Sequence, residues 1–199
     1  MRLGIFGGSF DPVHNGHLAL ARACQQQVGL DEVWFMPTAV QPLKKHGPHA
    51  VDIHRVEMLW LATGDEPAWR VCTLEVERGG RSYTVDTLRR LHEELPAAEL
   101  FFLIGADALR DVAQWKEPRE IFRLAKPLVV HRPGEAQPDL TALGALCTQA
   151  TQPQIVNMPA VDVSSTEIRR RVAAGESIEL LTPGAVSDYI AQHKLYAAT

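Results

Sequence analysis

Gly4-Ile5-Phe6-Gly7-Gly8-Ser9-Phe10-Asp11-Pro12-Val13-His14-Asn15-Gly16-His17 is the stretch from which the fold is read. Its apolar start, Leu3 to Phe6, predicts a short buried strand. Gly7 and Gly8 follow at once, and paired glycines let a backbone turn sharply and bring bare N–H groups close to a ligand. Asp11-Pro12 signals a turn. From Gly16-His17 onward, Leu18, Ala21, Cys24 and Val28 fall at helical spacing, and Gly29 ends the run. The order is strand, glycine turn, histidine pair, helix.

A helix N-terminus with exposed amides is an anion site. Two imidazoles beside it point to a phosphate. Each part alone admits a plainer reading. Gly7-Gly8 also suits an ordinary strand-to-helix turn. His14 and His17 share one helix face and are spaced for metal ligation, yet no third ligand stands nearby.

The chain has 199 residues, with no composition break to divide it, so one domain over 1–199 is expected. Hydrophobic residues make up 46% and charged residues 22%, which supplies a sizeable core. The net charge of −4 argues against a nucleic-acid binder that works by neutralising phosphates. Cys24, Cys72 and Cys147 are too widely spaced for a disulfide framework or a CxxC metal site. Cys24 belongs to the inner face of the first helix. No leader pattern precedes Leu3 and no apolar run nears membrane-spanning length, so a cytoplasmic protein without membrane attachment is expected.

Glu32 to Met36 reads as a second strand stopped by Pro37, and the two strands with their helix form a parallel βαβ unit. The stretch 37–50 reads as a long functional loop with three prolines and the pair Lys44-Lys45. Asp52 is an N-cap candidate for a helix whose inner face carries Ile53, Val56, Leu59 and Trp60. Arg70 to Leu74 predicts a strand, followed by the charged run Glu75 to Arg78 and a turn at Gly79-Gly80. Val85, Leu88, Leu91 and Leu95 predict the next helix.

Leu100 to Ile104 is the clearest buried strand and runs into Gly105-Ala106-Asp107, with Trp115 beyond a short turn. An acid past the carboxyl end of a central parallel strand lies where open α/β sheets bind ligands. Pro127 to His131 predicts a strand ending at Arg132. From Glu135 to Pro153 the pattern is weak, with Leu140, Leu143 and Cys147 spaced for a helix. Ser164 and Glu167 have capping-box spacing, so a helix starts there, with Arg169 nearest its beginning among three arginines. That end is a second anion site, or simply a capped helix with a basic outer face. Thr182-Pro183 opens a last helix through Val186, Tyr189, Ile190 and His193. The alternation predicts a doubly wound, Rossmann-like parallel α/β sheet with helices on both faces and a small C-terminal helical part.

The opening string has the form GxFDPxHxGH, and with Ser164-Ser165-Thr166-Glu167-Ile168-Arg169 it resembles the nucleotidyltransferase superfamily. Ser82-Tyr83-Thr84 with Trp115 directs the resemblance to the bacterial nicotinate-nucleotide adenylyltransferases. Trp34 to Pro37, His54 to Leu59, Ile104 to Asp107, Arg132-Pro133 and Leu195-Tyr196 extend it over most of the chain. The resemblance implies adenylyl transfer from ATP to nicotinate mononucleotide, yielding nicotinate adenine dinucleotide and pyrophosphate on the way to NAD. It implies that His14, His17, Lys44 and Arg169 serve the reacting phosphates. It implies that Gly7, Gly8, Ser9, Phe10, Gly105, Asp107, Arg132, Ser164 and Ser165 hold ATP. Ser82, Tyr83, Thr84 and Trp115 would hold the mononucleotide, with Thr84 and backbone amides on its carboxylate and Trp115 or Tyr83 stacked on the ring.

The attacking phosphate monoester, with a second pKa of about 6, is already a dianion, so no protein base is required. Mg²⁺ would bridge the phosphates with mostly water ligands, without a dedicated protein metal site. The family's loop motif Pro-Pro-His-Lys stands here as Gln41-Pro42-Leu43-Lys44, so the lysine is kept and the histidine is not. Lys45 and His46 adjoin it, and the loop is expected to close on nucleotide through Lys44. A sibling that adenylylates nicotinamide mononucleotide or phosphopantetheine is the alternative, and a homo-oligomer is compatible. A dinucleotide-dependent oxidoreductase is excluded by the glycine spacing, which is not G-x-G-x-x-G. Preference for the nicotinate form is expected because only Glu117 adjoins the mononucleotide motif as an acid, and it should face solvent.

Overall fold

A computed structural model of the chain describes residues 1–42, 47–134 and 136–198, apart from the side chains of Asp107 and Arg110. The first unit follows the expected order. Strand β1 (Arg2–Gly8) leads to helix α1 (Asn15–Val28), and strand β2 (Glu32–Pro37) returns parallel to β1. Gly29, at φ 67°, takes the left-handed conformation and ends α1, which glycine adopts without a side-chain penalty.

Then follow helix α2 (Asp52–Thr63), strand β3 (Trp69–Val71), and helices α3 (Leu74–Arg78) and α4 (Thr84–Glu94). Strand β4 (Glu99–Gly105) passes into a 3-10 segment (Ala106–Gln114), helix α5 (Pro118–Leu124) and strand β5 (Lys126–His131). Helix α6 (Thr141–Gly144), strand β6 (Gln154–Asn157), and helices α7 (Ser165–Ala173) and α8 (Gly184–Gln192) complete the described elements.

All six strands are parallel, in the order β3-β2-β1-β4-β5-β6. Chain progression reverses between β1 and β4, and ligands of open α/β sheets bind outside the carboxyl ends of the strands at such a point. Side chains alternate across the sheet. Phe101 and Leu103 of β4 face one core with α1, α2, α7 and α8, whereas Phe102 and Ile104 face the other with α4 and α5. A Cβ at Gly4 would lie 2.7 Å from Leu30 Cδ1 and 3.1 Å from Leu103 Cδ1, so a larger residue there would have to displace both side-chain ends.

Several local expectations are corrected. The strand expected over Arg70 to Leu74 is only Trp69–Val71, and Leu74 instead opens α3. Its pairing with β2 ends at Val71, after which the chain turns to bury Leu74 and Glu75. The first residue of α2 is Asp52 itself, with Val51 as its N-cap. Its inner face is Arg55, Val56 and Leu59; Ile53 and Trp60 are exposed. Arg55 is drawn inward by main-chain carbonyls, and this orients the helix. The turn before Trp115 is the nine-residue 3-10 segment. The weak region yields the short α6, and β6, which sequence patterning missed, extends the sheet edge. Ser164 Oγ caps Glu167 N–H, but the Glu167 carboxylate turns outward to Arg170 and Arg171, so the reciprocal half of the capping box is absent.

Candidate active site

The opening motif crosses the carboxyl end of β1, and its two histidines make a reciprocal helix cap. His17 N–H donates to His14 Nδ1 at 3.3 Å, and His14 N–H donates to His17 Nδ1 at 3.2 Å. Their rings stack with centroids 3.6 Å apart. This is capping-box logic with imidazoles in place of hydroxyl and carboxylate. A neutral ring whose Nδ1 accepts carries its proton on Nε2, so the cap selects the tautomer that can donate outward. His14 is buried, and burial, with the positive Arg132 nearby, lowers its pKa to about 4. It is therefore neutral near pH 7.

The helix N-terminus is less open than its glycines suggest. Asn15 N–H already donates to the Leu181 carbonyl, and His17 N–H is engaged in the cap. Phe10 supports the pair from behind, edge-on to His17 at 5.0 Å and to Phe6 at 5.3 Å. Its φ of 45° is costly for a non-glycine residue and is held by complete burial of the ring. A Cβ on Gly8 would lie 3.0 Å from the Phe10 ring, so a larger residue there would have to push that buried ring aside.

Asp11 is the acid of this motif and is buried. Its carboxylate accepts from His49 N–H at 2.7 Å, Ala50 N–H at 3.1 Å and Tyr196 O–H at 2.8 Å. Read in sequence only as part of a turn, it is a hub joining the start of the chain, the descent into α2 and the C-terminal segment. Arg55, fully buried, makes a second hub by donating to the carbonyls of Ser9 at 2.6 Å and Thr38 at 2.7 Å. Both residues fall within stretches that carry the resemblance, but their burial is not legible there, because Asp11's donors and the carbonyls that Arg55 bonds are distant in sequence.

Helix α7 docks against the same motif. Ser165 Oγ donates to the Pro12 carbonyl at 2.9 Å, and Arg169 Nη1 donates to the Asp11 carbonyl at 2.7 Å. Arg170 is held by Glu167 and Glu176, and Arg171 by Glu167. Of the three arginines, Arg169 alone bonds the opening motif among the described residues. Ser164 is the helix cap, and half-buried Arg132 follows β5 close enough to act on His14.

A cleft of about 660 Å³ opens between the carboxyl ends of β1 and β4. Gly7, Gly8 and Gly105 line it together with Ser82, Tyr83, Thr84 and Trp115, so residues far apart in sequence share one wall. Trp115 packs edge-on to Phe102 at 5.8 Å. Lys116 Nζ sits 4.8 Å from the centre of the Tyr83 ring and 3.0 Å from Asp86. Ser82 is buried, with its Oγ accepting from Ala39 N–H at 3.0 Å. Lys44 lies outside the described residues, as do Leu43, Lys45, His46 and the side chain of Asp107.

One expectation about this cleft is overturned. Glu117 does face solvent, paired with Arg89. A different acid, Glu75, reaches the cleft wall beside Ser82 and Thr84. It was missed because a charged run reads as a solvated turn, whereas α3 rotates Glu75 inward. Its Oε1 accepts from Thr87 Oγ1 at 2.6 Å, and burial raises its pKa despite hydroxyl partners at Thr87 and Ser82.

Residues 5–171 match the cytidylyltransferase-like family model. The chain is 40% identical over 198 residues to a probable nicotinate-nucleotide adenylyltransferase of Herpetosiphon aurantiacus, covering 99% of each. It is 43% identical over 195 residues to a protein of the same description from Corynebacterium kroppenstedtii, covering 98% of this chain and 90% of that one. Its fold is similar to that of Plasmodium falciparum nicotinic acid mononucleotide adenylyltransferase complexed with NaAD, with a TM-score of 0.80 at 21% identity, covering 98% of this chain and 97% of that one.

Proposed function

Since this chain belongs to the nicotinate-nucleotide adenylyltransferases of the cytidylyltransferase-like family, we infer from its site how it works as one. It transfers the adenylyl group of ATP to nicotinate mononucleotide, releasing pyrophosphate and forming nicotinate adenine dinucleotide in NAD biosynthesis. The observation that carries the assignment of roles is the meeting of motifs from both ends of the chain at Asp11 and Pro12, on the loop that follows the cleft-lining Gly7 and Gly8. Residues 1–199 act in this reading as one working unit.

The reaction joins two anions, so the protein's task is positioning and charge stabilisation. In our reading Gly7, Gly8, Ser9, Gly105, Asp107, Arg132, Ser164 and Ser165 cradle ATP, and Phe10, whose ring is buried, backs them rather than touching the nucleotide with its side chain. The Nε2 sides of His14 and His17 face the phosphates, and Arg169 meets the triphosphate from α7. Lys44 joins them on the family resemblance alone. Thr84 and nearby backbone amides take the nicotinate carboxylate. Trp115 is the ring platform, because Lys116 already covers one face of Tyr83.

Asp11 is committed to three protein donors, and among the described residues no three His, Cys, Asp or Glu side chains form a metal group. Mg²⁺ would ride on the phosphates of ATP, supplying charge neutralisation there. Among the described residues no helix is long and apolar enough to cross a membrane. All three cysteines are free thiols, which suits a cytoplasmic setting.

The test is kcat/KM for nicotinate and nicotinamide mononucleotides under identical conditions with ATP. Thr84 and backbone amides present donors to the ring substituent, and burial favours the protonated form of Glu75 on the same wall, so the amide's own N–H groups are left unpaired at about 1–3 kcal/mol each. The acid form is expected to win by at least tenfold. A ratio near one, or favouring the amide, overturns the substrate assignment and leaves adenylyl transfer standing.

A further inference from the structure

Glu75 is 4% exposed and lines the cleft, and its Oε1 accepts from Thr87 Oγ1. Among the described residues no hydrogen-bond partner within reach is found for Oε2. A half-satisfied buried carboxyl is costly, and one in the wall of a site meant for a carboxylate is doubly so if both are ionised. The conflict vanishes if the two groups hold one proton between them.

We propose that Glu75 is a specificity-determining residue that shares a proton with the ring carboxylate of the mononucleotide, the protonated acid donating and the substrate accepting. This rests on the reading of the cleft as the mononucleotide site. A protonated carboxyl is a donor and an ionised one only an acceptor. The acid form of Glu75 therefore welcomes a ring carboxylate, and the ionised form welcomes an amide. The proton comes from solvent when the substrate enters, as two carboxylates sharing a site cannot both stay ionised.

The groups around Glu75 bear on this balance. Thr87 from α4 and Ser82 from the preceding turn offer hydroxyls, and Arg78 on its own helix favours the ionised form. Cys72 before the helix is a neutral thiol, raised by burial. Arg81 and Lys116 line the same cleft as cations, the latter paired with Asp86. Burial outweighs the neighbours that favour ionisation, so the direction for Glu75 is upward.

The experiment is titration calorimetry of each mononucleotide into the whole protein at pH 6, 7, 8 and 9, in two buffers of different ionisation enthalpy. Both ligands carry the same phosphate, so its protons cancel in the comparison. Wild type should take up more protons with the nicotinate form, the difference approaching one as pH rises. Its affinity advantage should fall by up to tenfold per pH unit over that range. Glu75→Gln keeps an acceptor for Thr87 and a donor for the cleft. It should bind the nicotinate form within threefold of wild type at pH 6, with no difference in proton uptake at any pH. Equal uptake in wild type at every pH overturns the proposal, and so does a difference that survives in Glu75→Gln. The wild-type comparison decides the matter even if the variant does not fold. Failure of nicotinate mononucleotide to bind at all overturns the reading of the cleft, and the proposal with it.

Discussion

The hydroxyl of Tyr196 donates to Asp11 Oδ1 across 185 positions of sequence, at 2.8 Å, and so ties the last segment of the chain to its first motif. Asp11 is buried, so the bond is made to a charge withdrawn from water. Tyr196→Phe should cost about 2 kcal/mol, the scale of a hydrogen bond to a charged group. Asp11→Asn should cost about 3 kcal/mol, because its amide would turn N–H groups toward partners that are themselves donors. Urea denaturation of both variants checks the order; a larger loss for Tyr196→Phe would contradict it.

Acid should destabilise the protein through His14. Its folded pKa is about 4, lowered chiefly by burial, against 6.5 for the ordinary side chain. Below 6.5 the unfolded chain takes up a proton that the folded protein refuses. Stability contributed at this site is thus full above pH 6.5 and falls by up to about 1.4 kcal/mol per pH unit down to pH 4. His14→Asn keeps a short capping side chain and removes the titrating group. Its stability between pH 6.5 and 4 should fall less steeply than that of wild type, as read by denaturant midpoints at half-unit steps.

Catalysis should suffer more from loss of His17 than folding does. His17→Ala removes one capping bond, worth about 1 kcal/mol. It should lower kcat by two or more orders of magnitude, as for loss of a preorganised donor. His14→Ala should give a similar or smaller loss. An unchanged kcat with a raised KM for ATP would assign His17 to ground-state binding instead.

Single alanine variants should separate the three arginines of α7. Arg169 bonds the opening motif, while Arg170 and Arg171 are engaged with acids on the outer surface. Arg169→Ala should lower kcat/KM for ATP at least tenfold, and the other two should change it less than threefold. Exposed ion pairs contribute about 0–1 kcal/mol, so Arg170→Ala and Arg171→Ala should leave stability nearly unaltered. Equal kinetic effects at all three would refute the assignment to Arg169.

The sequence by itself determined the parallel α/β fold, the strand-turn-histidine-helix opening and the start of α7. These rest on period, turn residues and caps within a few positions of one another, and such terms act before the chain is folded. It also marked Ser82-Tyr83-Thr84 and Trp115 as one group, though only by resemblance. Tertiary structure alone decided the rest. Asp11, Arg55 and Glu75 are charged residues that a local reading sends to solvent, and all three are buried by partners from distant segments. β6 exists because β5 offers it an edge, not because Gln154–Asn157 has a strong pattern of its own. Burial of a charge depends on what the remainder of the chain places around it, and no window of sequence contains that information.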